Sequence, residues 1–179
     1  MTRSNVPLTV LITLVAVAVI ALVVGYASVT SGLIPANADA SPGKFERWAA
    51  HTSLNATLAR ETKGLHDPFP ATDATVITGI RLYGENCAVC HGASDGAESA
   101  IGKGLYQQPP QFAKHGVSDD PVETTYWKIA HGIRLTGMPS FRKSLHEDQL
   151  WAIATFLRRM DSLSPAENRA WHALKNAAS

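Results

Sequence analysis

The stretch GIRLYGENCAVCHG, Gly79 to Gly92, contains both cysteines of a 179-residue chain: Cys87 and Cys90 stand three positions apart, with His91 directly after the second. Two thiols that close in sequence make a loop too tight to staple a fold, so the pair reads as chemistry rather than as a crosslink. Several uses compete for it. A zinc site needs four ligands, usually with a second Cys or His pair at matched spacing; no second cysteine pair follows, and only histidines such as His115 or His131 remain to be recruited. A thioredoxin-like redox pair needs a βαβ setting and gives His91 no role. Idle thiols would be oxidised in an exported chain, and this chain reads as exported.

The export signal is the amino-terminal third of the sequence before the motif. VPLTVLITLVAVAVIALVVGYASV, Val6 to Val29, carries no charge, and ~24 helical residues at 1.5 Å each reach ~36 Å, enough to cross a ~30 Å hydrocarbon layer. Arg3 precedes the run and no charge follows until Asp39, which places the amino terminus in the cytoplasm and everything after residue 30 outside. The alternative is a signal peptide cleaved near ANADA, Ala36 to Ala40. Against it, the apolar run exceeds the ~7–15 residues of a signal core and ends well before that site. A retained anchor is the expectation. The formal net charge of +1 and pI of about 7.9 give no overall field toward nucleic acid.

After the anchor, helix caps organise the chain. TSGLIPANADAS, residues 30–41, reads as a linker. Ser41 with Pro42 predicts a helix over 42–63, ending near Gly64 and Pro68, with a thin apolar stripe of Phe45, Trp48, Leu54 and Leu58. Thr72 or Asp73 caps the helix leading to Cys87. Asp120, Pro121 and Glu123 predict an N-cap, N1 and N3 before a helix ending at Gly132. Ser144 with Glu147, and Ser164 with Glu167, read as capping boxes, the second opening a helix over 165–177. No stretch alternates with period two, so an all-α fold with long loops at 92–119 and 133–143 is expected. The expected domains are 1–30 anchor, 31–72 linker and peripheral helix, 73–163 the domain around the cysteines, and 164–179 a C-terminal helix. Compact domains rarely leave ~20 residues without structure unless they wrap something, and a large apolar cofactor would also supply missing core.

One cofactor uses every atom of CAVCH. In C-x-x-C-H the two thiols add to the two vinyl groups of haem, one helical turn bridging one porphyrin edge, and the next residue sets its imidazole below the iron. A covalently attached haem c, one per chain, is therefore expected at Cys87, Cys90 and His91. The second axial position falls to Met138, Met160 or a histidine, because Met1 lies on the other side of the membrane. Met138 is favoured: it sits in a loop between Gly137 and Pro139, whereas Met160 follows Arg158 and Arg159 at a helix end.

Together, CAVCHG, TGMPSF and the helices around Gly79, Tyr83, Phe156 and Leu157 resemble a class I c-type cytochrome of the single-haem, membrane-anchored bacterial sort, over roughly residues 74–161. The resemblance implies a glycine at 79 where the last helix crosses closely. It also implies a carbonyl of Pro110 holding His91, with Phe112 packing on the ring. The His/Met iron has no open position, so the chain reads as an electron carrier and not an enzyme, facing the periplasm from a bacterial inner membrane in a respiratory or dehydrogenase-linked chain. Redox proteins in or at the membrane are the expected partners: a dehydrogenase, a quinol-oxidising complex or a terminal oxidase. Alternatives are a fixed haem c subunit of a larger membrane oxidoreductase, or a haem peroxidase or gas sensor with a labile sixth ligand. Lys128, Arg134, Arg142 and Lys143 form a basic run suited to docking, and Trp127 or Arg134 would serve a haem propionate.

Overall fold

Hydroxyls, glycines and a few buried aromatics decide how this chain is cut into helices. The computed structural model describes residues 6–116 and 120–174. In chain order the helices are α1 (Val6–Thr30), α2 (Lys44–Glu61), α3 (Asp73–Asn86), α4 (Ala88–His91), α5 (Ala100–Gly104), α6 (Phe112–His115), α7 (Val122–His131), α8 (Glu147–Arg159) with a 3-10 turn at Met160–Ser162, and α9 (Pro165–Ala173). No strand occurs among the described residues. The chain divides into two units, residues 1–40 and 41–179.

The first unit is dominated by α1, whose Pro7–Thr30 segment has a mean hydropathy of 2.9. Its hydroxyls are folded back onto the helix: Thr13 donates to the carbonyl of Thr9 at 2.9 Å, Ser28 to Val24 at 2.7 Å and Thr30 to Tyr26 at 3.0 Å. In a low-dielectric surrounding this is how a polar side chain avoids an unmet bond.

In the second unit α3 and α8 cross at Gly79. A Cβ there would lie 2.1 Å from the carbonyl oxygen of Ala152 and 2.9 Å from Cβ of Phe156, so only glycine admits the approach. Val76, Ile80 and Tyr83 occupy the same face of α3 and are buried. Residues 150–157 of α8 are buried all round, because α3 and α7 pack on it and the segment before α3 covers a further side. There Thr155 donates to Asp67 Oδ2 at 2.8 Å and Arg159 to the Ala71 carbonyl at 3.2 Å. α9 closes the core: Trp171 lies 5.5 Å from Tyr83 and 5.3 Å from Phe156, centroid to centroid.

α3 is capped by Thr72, one of the two residues expected there, which accepts from Thr75 N at 3.2 Å. Other helix starts differ from the sequence expectation. α2 begins at Lys44 with Gly43 as an uncapped extended residue, two positions later than Ser41-Pro42 suggested. Before α7, the Pro121 carbonyl takes the Thr124 and Thr125 amides, and Asp120 instead pairs with Lys128. The box opening α8 is His146 with Gln149, since Ser144 N and Leu145 N are already held by the Phe141 carbonyl in a turn. The Ser164–Glu167 box with Pro165 at N1 forms as expected, but α9 stops at Ala173, short of the predicted 165–177 helix, because Leu174 turns extended (φ −68°, ψ 114°) and packs over Gly84; residues 175–177 lie outside the described residues. The 92–119 loop is broken by α5 and α6.

Gly79→Val should be the most damaging single change at the crossing. It forces two backbones apart and should cost about 3 kcal/mol or more, read as a lowered urea midpoint with helical content retained in the residual folded fraction.

Candidate functional site

The site begins where α3 stops. Cys87 receives no side-chain cap, but its backbone serves both helices: its N–H donates to the Tyr83 carbonyl at 2.8 Å, and its carbonyl accepts from Cys90 N at 3.0 Å and His91 N at 2.9 Å. Cys87, Cys90 and His91 are thereby carried on one turn, α4. Gly92 ends it with φ 77° and ψ 164°, a backbone that suits only glycine.

A turn this short leaves carbonyls without helical partners. Side chains from separate segments meet them. Ser99 donates to the Val89 carbonyl, Gln111 Nε2 to Cys90 at 3.1 Å and to Pro109 at 3.1 Å, and Tyr83 Oη to Gly92 at 2.7 Å. Gly102 lets α5 press against the turn, since a Cβ there would stand 2.5 Å from the Cys90 carbonyl.

His91 Nδ1 lies 2.9 Å from the Pro110 carbonyl. A carbonyl only accepts, so Nδ1 carries the proton and Nε2 keeps its lone pair. Phe112 stacks on the imidazole at 4.4 Å and 7°. Burial lowers the His91 pKa, opposed by the Pro110 bond. The Cys87 thiol is pushed up to about 12 by burial and then by Cys90, and burial also raises the Tyr83 phenol.

Met138 is half-buried against the core on a different loop. Thr136 shapes that loop, donating to the Ile133 carbonyl at 2.7 Å and accepting from Met138 N at 3.1 Å; Ile133 N closes it on the Met138 carbonyl at 3.2 Å. Gly132, at φ 69°, passes where a Cβ would meet Pro139 at 2.6 Å. The two loops touch: a Cβ on Gly137 would fall 2.7 Å from Leu105. Met160 packs on the core from the 3-10 turn.

Trp127 stacks on His131 at 4.7 Å, and Arg134 is exposed. The basic run is smaller than the sequence suggested. Lys128 is neutralised by Asp120 at 2.6 Å, leaving Arg134, Arg142 and Lys143 exposed. Glu85 and Glu98 are likewise partnered, by Arg81 at 2.6 Å and by Lys114 at 3.1 Å.

The structure brings Cys87, Cys90, His91, Pro110 and Phe112 together and sets Met138 on an adjoining loop, and sequence reasoning did not name Ser99 and Gln111. Their only signal was the general need of a helix end for carbonyl partners, which does not say which residues supply them.

The donor set fits a haem held through thioethers. Both cysteines are free thiols, the imidazole offers Nε2 with Nδ1 occupied, and a soft thioether is available on the adjoining loop. Among the described residues no three His, Cys, Asp or Glu side chains gather as they would for a metal ion without a porphyrin.

The family model described as cytochrome C oxidase, cbb3-type, subunit III, matches residues 74–157. No curated protein and no solved structure gives a significant match.

Gln111→Ala should remove the donor to two carbonyls and cost about 1–3 kcal/mol. Gln111→Glu keeps the shape but offers an acceptor, and should destabilise at least as much by urea unfolding at neutral pH.

Proposed function

We propose that residues 74–157, the stretch the family model matches, make up a c-type cytochrome domain of class I, and that the chain is a membrane-tethered electron carrier whose haem is attached at Cys87 and Cys90 and ligated by His91 and Met138. The observation that carries this is the His91–Pro110 contact, which orients the ring and leaves Nε2 as the free donor. When bound, the haem supplies a one-electron iron couple. Every other contribution comes from the chain. The Pro110 carbonyl makes His91 a more basic ligand. Phe112 fixes the ring plane and keeps water from it. The Met138 thioether would serve as the second protein ligand to the haem and favour its reduced state, which would suit electron transfer rather than substrate binding. Trp127 and Arg134 are proposed for the propionates. α1 anchors the chain in a bacterial inner membrane with the amino terminus cytoplasmic and the second unit periplasmic, within reach of a dehydrogenase, a quinol-oxidising complex or a terminal oxidase.

A second reading is favoured by the words of the matching family: the chain is a fixed haem c subunit of a membrane oxidase. Detergent purification separates the two, since a carrier comes alone and a subunit brings its complex.

Met138→Ala tests the ligation. It should abolish the thioether-to-iron absorption band, lower the potential and allow carbon monoxide to bind, with the haem still covalently attached and Met160→Ala unchanged in spectrum. An unaltered Met138→Ala spectrum overturns the assignment.

Docking through the exposed bases gives a further expectation. With Lys128 already paired, the charges to reverse are Arg142 and Lys143. Reduction by solubilised partner membranes should slow as salt rises, and Arg142→Glu with Lys143→Glu should slow it at low salt, where surface charges are least screened. A rate indifferent to both favours the fixed subunit.

A further inference from the structure

α2 lies outside the family match, and its two faces differ along its length. Leu58 is buried, Leu54 and Thr57 are half-buried, and Glu46 accepts from Tyr106 Oη at 2.9 Å through both carboxylate oxygens. These residues form the side turned to the haem domain. On the other side Phe45 is 76% and Trp48 62% exposed, their rings 5.6 Å apart. Three residues apart, they sit about 60° from one another around the helix. Farther along the same side come Thr52, Asn55, Ala56 and Ala59, small or polar. The aromatic surface is therefore confined to the first turns of α2. That is the end joined to α1 through residues 31–43, a tether that reaches ~45 Å at full extension. Lys44, exposed, stands next to Trp48 around the helix, whereas Arg47, also exposed, lies on the Glu46 side near Tyr106.

Aromatic side chains with an adjacent lysine at a helix end match the headgroup boundary of a bilayer, where amphipathic rings settle and anionic phosphates attract Lys. A face serving another protein along the whole helix would carry its apolar residues along the whole helix; this one does not. We propose that the first turn of α2 is a second, peripheral membrane contact, with Phe45 and Trp48 inserted at the headgroup boundary of the bilayer that α1 spans and Lys44 against lipid phosphate. The proposal rests on the reading of α1 as a retained anchor. Its consequence is orientation. Glu46 holds Tyr106, and the neighbouring Leu105 rests on Gly137 beside Met138. A docked first turn would keep that seam between the two loops at a fixed height above the membrane.

The test uses the full haem-loaded chain, labelled with 5-fluorotryptophan and reconstituted in anionic nanodiscs with and without a lipid bearing a gadolinium chelate on its headgroup. The four tryptophan signals are assigned by Trp→Phe variants, and alkaline extraction from liposomes reports separately on α1. The expected result is loss of the Trp48 signal in the gadolinium discs while Trp151 and Trp171 persist, and its recovery in Phe45→Asp, a change at an exposed position that leaves the fold intact. A Trp48 signal that survives in a chain resisting extraction overturns the membrane contact, leaves the anchor standing and points to a protein surface. Equal loss of all four signals also overturns it. A chain released by alkali overturns both readings.

Discussion

Carbonyl oxygens at the end of a single helical turn hold the second unit together. Val89, Cys90 and Gly92 point out of α4 with no helical donor, and each is met by a side chain from elsewhere: Ser99, Gln111 and Tyr83. The Gly92 bond is buried and the Cys90 bond partly so, and leaving a buried carbonyl unmet costs about 1–3 kcal/mol. Ser99 also caps α5, Gln111 lies between the proline that holds His91 and the phenylalanine stacked on it, and Tyr83 stands in the middle of the core. Fixing one turn thus fixes the loop on its far side and ties both to the helix crossing.

That crossing supplies the rigidity. Gly79 brings two helix backbones to contact, which sets Tyr83 and Phe156 edge to face at 5.5 Å. Aromatic pairs of this geometry add about 0.5–1.5 kcal/mol beyond their buried area. The phenol oxygen, meanwhile, reaches out of the core to Gly92. Core packing and the placement of the imidazole are therefore one problem, and the His91 ring inherits the stiffness of the crossing through a single hydroxyl.

Much of this was legible in sequence because the informative residues act locally or have few substitutes. Gly79 and Gly92 each occupy a place where a Cβ has no room, and the Ser164–Glu167 box needs only its own four residues and closes as written. What misled was local grammar with two valid readings. Ser144 with Glu147 and His146 with Gln149 have the same spacing; the choice was made by the Phe141 carbonyl, which holds the chain in a turn through Leu145. Asp120 was free to cap α7 until Lys128, one face along the same helix, offered a charge. The docking patch shrank for the same reason. Charge runs read along the chain do not reveal partners that arrive from outside the run.

Leu174 packs over Gly84, where a Cβ would sit 2.8 Å from its methyl group, and its carbonyl receives the Ser94 hydroxyl at 3.3 Å. Trp171 fills the other side of the same helix. Both residues follow the last position matched by the family model. The unit that recurs between sequences and the unit that folds here are consequently different lengths. Recombination that carried only residues 74–157 to a new anchor would deliver a haem motif with one wall missing, and α9 would have to travel with it or be replaced by an aromatic surface of the host. The packed core seen here reaches at least as far as Leu174.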